Sequence, residues 1–233
     1  MKINLFCLTL ILFLLSCGKK NPSQKNTTPL IQNIAVVVYD ISISTDAFAM
    51  LQASDIYLMY HKMGVNNGGK FYGLFIKTNS KMQDPYMQVV PALQLIEIKG
   101  NAYQQQNRIN RNKEIAVQYE KGAVDFVKTA SAKMMLPKTE DFSDIQHALE
   151  LANSILSMPE YANWNKQLLI ISDMENDFPP INGIDKMQPV KFKPDVKIAV
   201  VRQSSNVNVS EMIGGSEYTP YPTIPDAINS FYK

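Results

Sequence analysis

The chain has 233 residues, a formal net charge of +2 at pH 7 and 45% hydrophobic residues, and it contains two cysteines. This length and apolar content suffice for one globular domain with its own core. A net charge this close to zero argues against a nucleic-acid-binding protein, which would carry a marked excess of lysine and arginine.

An apolar stretch over residues 3–15 predicts a secretory signal peptide over residues 1–16 rather than a membrane-spanning helix. The stretch ends in Leu-Leu-Ser-Cys, which resembles the bacterial lipobox, and in this motif the signal is cleaved before the cysteine. The resemblance implies that Cys17 becomes the lipidated N-terminus. The other cysteine, Cys7, would leave with the signal peptide, so we expect no internal disulfide in the mature chain.

Residues 18–29 are polar and basic and show no apolar periodicity. They predict a flexible tether, so that lipidated Cys17 and the tether span residues 17–30 and a single domain spans residues 31–233. The tether lysines fit either simple solvation or contact with anionic lipid headgroups. Basic residues directly after Cys17 differ from the acidic surface-export signal of some Gram-negative lipoproteins. We therefore expect a lipid-anchored protein of the bacterial cell envelope, on the outer membrane and facing the periplasm.

The apolar run over residues 34–39 predicts a buried parallel strand, and it is followed by Asp-Ile-Ser-Ile-Ser. Open α/β sheets place their ligand sites where such strands end. The side chains of Asp40, Ser42 and Ser44 point the same way if the chain stays extended, because they alternate with two isoleucines. Three converging oxygen side chains predict a site for Mg²⁺ or another small divalent cation.

The rest of the chain alternates predicted helices and strands. The helices are expected at residues 46–63, 107–135, 143–157 and 225–232, and the strands at residues 70–77, 86–98, 167–173 and 196–201. This alternation predicts a doubly wound α/β fold with a mostly parallel central sheet and helices on both faces. Pro91 favours a sheet edge for the third strand. Ser143 and Gln146 resemble a capping box at the start of their helix.

Two stretches show neither a helix pattern nor a strand pattern. Four prolines between Asp173 and Val196 argue against a long helix there. That segment fits either a partner-binding loop near the metal or a solvated connection. Residues 204–222 contain no clear strand pattern, so the sequence leaves open whether the sheet has five strands or six.

Three separate segments supply oxygen side chains in an order that resembles the von Willebrand factor type A (VWA) domain and its metal-ion-dependent adhesion site (MIDAS). The family's Asp-x-Ser-x-Ser element is Asp40, Ser42 and Ser44. The run Phe-Ser-Asp-Ile-Gln-His-Ala-Leu is similar to the family's Gly-Thr-Asp-Ile-x-x-Ala-Leu, with Ser143 in the threonine position. The run Ser-Asp-Met-Glu-Asn-Asp, which contains Asp173, is similar to the family's Ser-Asp-Gly-Glu-Asp-Asn turn, with methionine in the glycine position.

The resemblance covers most of the mature chain and implies a VWA-like fold whose third strand is an antiparallel edge strand. It also implies that Ser42 and Ser44 bind the metal through their hydroxyls and that Ser143 does so in at least one state. Asp40 and Asp173 are then expected to act mainly through ordered waters. Neutral hydroxyls leave a cation such as Mg²⁺, Mn²⁺ or Ca²⁺ incompletely neutralised, so a partner's carboxylate is the natural last ligand. The implied partner is a protein or another envelope ligand.

Two other functions remain open on the residues alone. One is metal-dependent hydrolysis of an ester or phosphate at Asp40 and Asp173. A Ser–His–Asp set of Ser143, His147 and either Asp40 or Asp173 is also conceivable. The sequence contains no Gly-x-Ser-x-Gly elbow and no Walker-type or dinucleotide-binding glycine loop. The other is a structural scaffold with a vestigial metal site, which the serine at position 143 supports. We favour a binding module over an enzyme.

Overall fold

The computed structural model describes residues 30–42, 50–175 and 188–233. All of these residues except Leu30 belong to one compact unit, which runs from Ile31 to Lys233. The signal peptide, the lipidated Cys17 and Ser44 lie outside the described residues, so the inferences about them stay predictions.

The described residues form six strands and five α-helices. The strands are β1 (Asn33–Asp40), β2 (Gly69–Ile76), β3 (Tyr86–Val90), β4 (Asn165–Ile171), β5 (Val196–Val201) and β6 (Thr219–Tyr221). The helices are α1 (Ala53–Val65), α2 (Ala102–Met134), α3 (Ile145–Leu156), α4 (Val209–Met212) and α5 (Ile224–Ser230). None of the helices in this part of the chain is long and apolar enough to cross a membrane.

The strands form one sheet in the order β3-β2-β1-β4-β5-β6. Every neighbouring pair is parallel except β2 and β3, which are antiparallel. This arrangement confirms the predicted α/β fold with a mostly parallel sheet and an antiparallel edge strand. The strands β1 and β4 are neighbours at the centre, and the candidate ligands after them are thereby brought to the same end of the sheet.

Helices cover the sheet on both faces and form two apolar layers. One layer packs α1, α2 and α5 against side chains such as Val37 and Tyr39 of β1. The other packs α3 and α4 against Val36 and Val38 of the same strand. All eight residues of β1 are buried, because each face of the strand meets a helix layer.

Three predicted boundaries are wrong by five residues or more. Helix α1 begins at Ala53 rather than at residue 46, because Gln52 caps it and donates its N–H to Asp55 Oδ2 at 2.9 Å. The third strand ends at Val90 rather than at residue 98, because Val90 pairs with Gly69, the first residue of β2, and no residue of β2 remains for the chain beyond Val90 to pair with. Helix α2 begins at Ala102 rather than at residue 107, because Asn101 and Gln104 form a capping box. Gln104 N–H donates to Asn101 Oδ1 at 3.0 Å and Asn101 N–H donates to Gln104 Oε1 at 3.1 Å, so both end donors are satisfied.

The C-terminal stretch resolves the question that the sequence left open, because it contains a sixth strand. Strand β6 has three residues and pairs in parallel with Ala199–Val201 of β5. Its middle residue is Pro220, which a sheet accepts at an edge where the missing N–H faces away from the ladder. Helix α4 was also not predicted, since one turn is too short to show an apolar period.

Candidate metal-binding site

Asp40, the last residue of β1, is fully buried and accepts hydrogen bonds from two of the described residues. Ser42 N–H donates to Asp40 Oδ1 at 2.9 Å, and the hydroxyl of Ser172 donates to Asp40 Oδ2 at 2.7 Å. Ser172 directly follows β4, the parallel neighbour of β1. The carboxyl ends of the two central strands are therefore joined through the carboxylate of Asp40.

Ser172 is a functional residue that the sequence analysis missed. Besides donating to Asp40, its oxygen accepts the N–H of Met174 at 2.9 Å, so it fixes the turn that carries Asp173. Asp173 is partly buried, and its Oδ1 accepts the N–H of Glu175 at 3.0 Å. The sequence signals for Ser172 were its position between a buried strand and a candidate ligand and its match to the first serine of the family's Ser-Asp-Gly-Glu-Asp-Asn turn.

Met174 adopts a backbone conformation that favours glycine. Its φ angle is +65°, in the left-handed region, and its side chain is fully buried in the α3 layer of the core. The sequence resemblance places glycine at this position, and glycine adopts this backbone conformation more readily than methionine does. Methionine is therefore held here in a conformation that costs it backbone strain.

The segment before α3 is tied to the loop that follows β1. The N–H groups of Thr139 and Glu140 donate to Ile41 O at 3.2 Å and 3.4 Å. Ser42 and Glu140 form an isolated parallel bridge. These contacts bring the chain that leads into Ser143 alongside Asp40 and Ser42, which are about 100 residues earlier in the sequence.

The predicted capping box of Ser143 and Gln146 is wrong, because Asp144 caps α3 instead. One carboxylate oxygen of Asp144 accepts the N–H of His147 at 3.3 Å, and the other accepts the N–H of Ser80 at 3.1 Å. The side-chain oxygen of Gln146 instead accepts the N–H of Gln188 at 2.8 Å. A carboxylate suits a helix N-terminus better than a neutral hydroxyl does, because it also interacts with the helix dipole.

The Ser143 hydroxyl is consequently left without a role in the helix. Ser143 is fully buried, and its Oγ has no hydrogen-bond partner among the described residues. Leaving a buried hydroxyl unsatisfied costs about 1–3 kcal/mol, so such groups are rare in folded proteins. An unsatisfied oxygen at the position of a predicted metal ligand fits a group that completes its bonding when a cation binds.

His147 does not join Ser143 in a catalytic arrangement. Its Nδ1 lies 2.9 Å from both carboxylate oxygens of Asp144. Because Ser143 Oγ has no partner within the described part of the chain, it makes no hydrogen bond to His147. The Ser–His–Asp set considered from the sequence, with Asp40 or Asp173 as its acid, is therefore not formed.

The surroundings of Asp40 suit a cation. Within the described ranges, no lysine, arginine or histidine forms an ion pair with this buried carboxylate. A buried carboxylate is costly unless a positive charge compensates it, and a divalent cation would supply that charge.

The described ranges contain no cluster of three His, Cys, Asp or Glu side chains. The expected ligand set differs from such a cluster, since serine hydroxyls provide most of it.

The fold and these residues define an α/β domain with an oxygen-rich site at the carboxyl ends of its central strands. No family model and no curated protein matches the chain. Among solved structures, the chain is similar to the SpRpn10 VWA domain, with a TM-score of 0.39 and 12% identity over 86% of this chain and 95% of that chain.

The chain is also similar to the pilus adhesin SpaC from Lactobacillus rhamnosus GG in two crystal structures. The TM-scores are 0.41 and 0.42, both at 12% identity, over 88% and 87% of this chain. The matches span 30% and 29% of SpaC, so this chain corresponds to less than a third of that protein's length. The function proposed below rests on the contacts of the site.

Proposed function

We propose that this protein is a membrane-anchored lipoprotein whose VWA-like domain binds a divalent cation and uses it to bind a partner. The cation is Mg²⁺, or Mn²⁺ or Ca²⁺ in its place, and the ligand set is Asp40, Ser42, Ser44, Ser143 and Asp173. The partner is a protein or another envelope ligand that offers a carboxylate to the metal.

The observation that carries this proposal is the buried Ser143 hydroxyl, which has no hydrogen-bond partner among the described residues. The ordinary explanation for a serine at the start of a helix is capping, and Asp144 already performs it. An oxygen that gains no hydrogen bond from the described residues, and that stands at the position of a predicted metal ligand, is explained by a cation bound there. The same segment is tied to Ser42 through Glu140, so the oxygen belongs to the neighbourhood of the other candidate ligands.

The chain's own residues divide into two roles. Ser42, Ser44 and Ser143 supply neutral oxygens, whereas Asp40 and Asp173 supply negative charge. The hydrogen bonds from Ser42 N–H and Ser172 Oγ fix the Asp40 carboxylate in one orientation, which limits the reorganisation needed for binding. When bound, the cation supplies an incompletely neutralised positive charge that attracts an anionic group of the partner.

Calorimetric titration of Mg²⁺ and Mn²⁺ into residues 19–233 tests the metal site. We expect saturable binding that Asp40→Ala abolishes and Ser143→Ala weakens by about tenfold or more. Ser131→Ala is the matched control, because Ser131 Oγ is also buried without a hydrogen-bond partner in the described part of the chain but lies in α2. Equal affinities for Ser143→Ala and the wild type would contradict the proposed ligand role of Ser143.

The membrane anchor is tested separately, on the full chain expressed in a Gram-negative host. We expect mass spectrometry of the mature N-terminus to show a lipid-modified Cys17 and the loss of residues 1–16. Cys17→Ser should release the protein from the membrane fraction, whereas Cys7→Ser should not. Protease added to intact cells should leave the wild-type domain uncut if the domain faces the periplasm.

A further inference from the structure

The two edges of the sheet differ in how they are protected from pairing with another strand. The β6 edge is three residues long and contains Pro220, whose ring removes a backbone donor. The β3 edge is five residues long and reads Tyr-Met-Gln-Val-Val, without a proline or a charged residue. Prolines and charges are the usual devices that keep sheet edges apart, and β3 has neither.

Hydrogen bonds around β2 show which backbone groups of β3 face outward. The carbonyl of Ile76 accepts the N–H of Ile41 at 3.2 Å, so Ile76 faces β1. Its neighbour Phe75 faces the β3 side, where the Gln83 side chain bonds to its N–H at 2.8 Å and to its carbonyl at 2.7 Å. Backbone groups alternate along a strand, so residues 69, 71 and 73 of β2 also face β3.

These three β2 residues lie opposite Val90, Gln88 and Tyr86. The intervening residues, Met87 and Val89, therefore direct their N–H and carbonyl groups away from β2, towards the open edge. Pro85 and Pro91 fall on the same outward side of the alternation and have no N–H. No described residue bonds to these outward groups, so within the described part of the chain the edge offers complete donor and acceptor sets at Met87 and Val89.

The outward residues also expose apolar side chains. Met87 is 46% exposed and Val89 is 60% exposed. They lie opposite Tyr72 and Lys70 of β2, so both occupy the sheet face that carries α3. Exposed apolar side chains beside unpaired backbone groups are typical of a strand that receives another strand.

We propose that β3 is a self-association edge, at which β3 of a second copy of this chain pairs with it in antiparallel orientation. The two-fold axis passes by Gln88, and Met87 of each copy lies opposite Val89 of the other. This register places outward residues opposite outward residues, so each Met87–Val89 pair exchanges both of its backbone hydrogen bonds. A register shifted by two residues would place Pro91 opposite Met87 in one direction, or Pro85 opposite Val89 in the other. Because proline has no N–H, each of these pairs would lose a backbone hydrogen bond.

A second copy fits this edge because the edge is complementary to itself. The strand carries no charge, so its two-fold pairing brings no like charges together. Met87 packs against Val89 of the other copy on one sheet face, and the two Gln88 side chains meet on the other. The pairing joins two six-stranded sheets into one, and its small area makes the dimer weak and reversible.

Sedimentation velocity of residues 19–233, which exclude both cysteines, tests this dimer from about 10 μM to about 1 mM, a range that suits a small interface. We expect a dimer fraction that rises with concentration. Met87→Glu with Val89→Glu sets carboxylates opposite each other and should raise the dimer dissociation constant by about tenfold or more. The matched control is Val117→Glu with Val124→Glu, because these valines of α2 are 65% and 63% exposed. The control should dimerise like the wild type.

Hydrogen–deuterium exchange of the unmutated protein provides a second readout that needs no variant. The amides of Met87 and Val89 should exchange more slowly at the highest concentration than at the lowest, while those of Val117 and Val124 stay unchanged. A wild-type protein that is monomeric at every concentration would overturn the proposal. The edge would then be a candidate binding site for an extended segment of another protein. A double-glutamate variant that remains folded and dimerises as the wild type does would also overturn it.

Discussion

Met174 shows two opposing energies at a single residue of the candidate site. Its left-handed backbone, with φ of +65°, costs a residue with a Cβ about 1–2 kcal/mol. Its fully buried side chain belongs to the α3 layer of the core, and truncating a buried methionine typically costs about 2–5 kcal/mol. The packing energy is the larger of the two, so methionine at this turn is favourable overall.

We expect Met174→Gly to lower the free energy of unfolding by about 1–3 kcal/mol, since glycine relieves the backbone strain but leaves a cavity. Met174→Ala is the control, because it opens nearly the same cavity and keeps the strain. The alanine variant should therefore be less stable than the glycine variant in urea denaturation at 25 °C. A glycine variant at least as stable as the wild type would show that strain, and not packing, dominates this turn.

Ser172 is the residue that couples stability to the candidate metal site. Its hydroxyl is the partner of Asp40 Oδ2 in a fully buried position. Ser172→Ala leaves that oxygen unsatisfied, so we expect a loss of about 1–3 kcal/mol in the free energy of unfolding. The affinity for Mg²⁺ in calorimetry should fall as well, because the Asp40 carboxylate loses its fixed orientation.

Ser230→Ala separates this effect from the loss of any serine hydrogen bond. The Ser230 hydroxyl donates to Ala227 O at 2.7 Å inside α5, remote in sequence from the site. This control should leave Mg²⁺ affinity unchanged. If Ser172→Ala loses stability but binds Mg²⁺ as the wild type does, Ser172 is a structural residue only.

At the scale of elements, the predictable parts of the fold were those with an uninterrupted local signal. The apolar run Val196–Val201 was predicted with the bounds that β5 has, because a strand buried on both faces is apolar throughout. Strand β6 has three residues, two of them exposed, and its pairing comes from its position beside β5. No local pattern carries that information.

The places of the candidate site residues in the fold were predictable to the same extent. Asp40 and Asp173 come at the ends of buried apolar runs, a signal that lies along the chain. The role of Ser172 depends on β1 and β4 being neighbours in the sheet, which only the folded topology establishes. The choice between Ser143 and Asp144 as helix cap depends on Ser80, a residue from a distant loop that donates to the Asp144 carboxylate.

Asp144 joins α3 to the loop after β2, and its removal should affect both elements. Asp144→Ala deletes the cap of α3 and leaves the buried N–H of Ser80 without its acceptor. We expect a loss of about 1–3 kcal/mol in the free energy of unfolding. The measurement is chemical denaturation at pH 7.

The control for this prediction is His147→Ala. It removes the contact between His147 Nδ1 and Asp144 but retains the cap and the bond to Ser80. The loss of stability should be smaller than for Asp144→Ala. Equal losses would mean that Asp144 acts chiefly through His147 and not through the backbone of the two elements.

At the scale of the whole molecule, the proposed metal site and the proposed association edge use different parts of one sheet. The site lies where the central strands β1 and β4 end, whereas β3 is the outermost strand. Among the hydrogen bonds of the described residues, those around Asp40 come from Ser42 and Ser172 and not from β3. We therefore expect Asp40→Ala to leave the β3-mediated dimer intact, so that a failure of either proposal says nothing about the other.

The stability of the whole domain also has a predictable dependence on pH, through an ion pair at the start of β4. Lys166 Nζ lies 2.7 Å from Asp195 Oδ2, and the lysine side chain is 3% exposed. The hydrogen bond from Lys166 holds the pKa of Asp195 below its ordinary value. A carboxyl group whose pKa is lowered by folding adds stability above its unfolded pKa, and that stability is lost as the pH falls through the folded pKa.

We expect Asp195→Asn to lower the free energy of unfolding at pH 7 by about 0.5–1 kcal/mol, because the variant leaves the buried Lys166 ammonium without its counter-charge, although solvent screens the pair at the 49% exposed side chain of Asp195. The difference from the wild type should shrink as the pH falls from about 4, the ordinary pKa of an aspartate, through the lower pKa that Asp195 has in the folded protein. Urea denaturation of both proteins at several pH values measures this difference. A difference that stays constant with pH would mean that the substitution disturbs packing and that the charge of Asp195 contributes nothing.

Glu160→Gln is the matched control, since Glu160 pairs with Lys70 at 2.9 Å but with both side chains more exposed to solvent. Its effect at pH 7 should be the smaller one, because solvent screens an exposed pair.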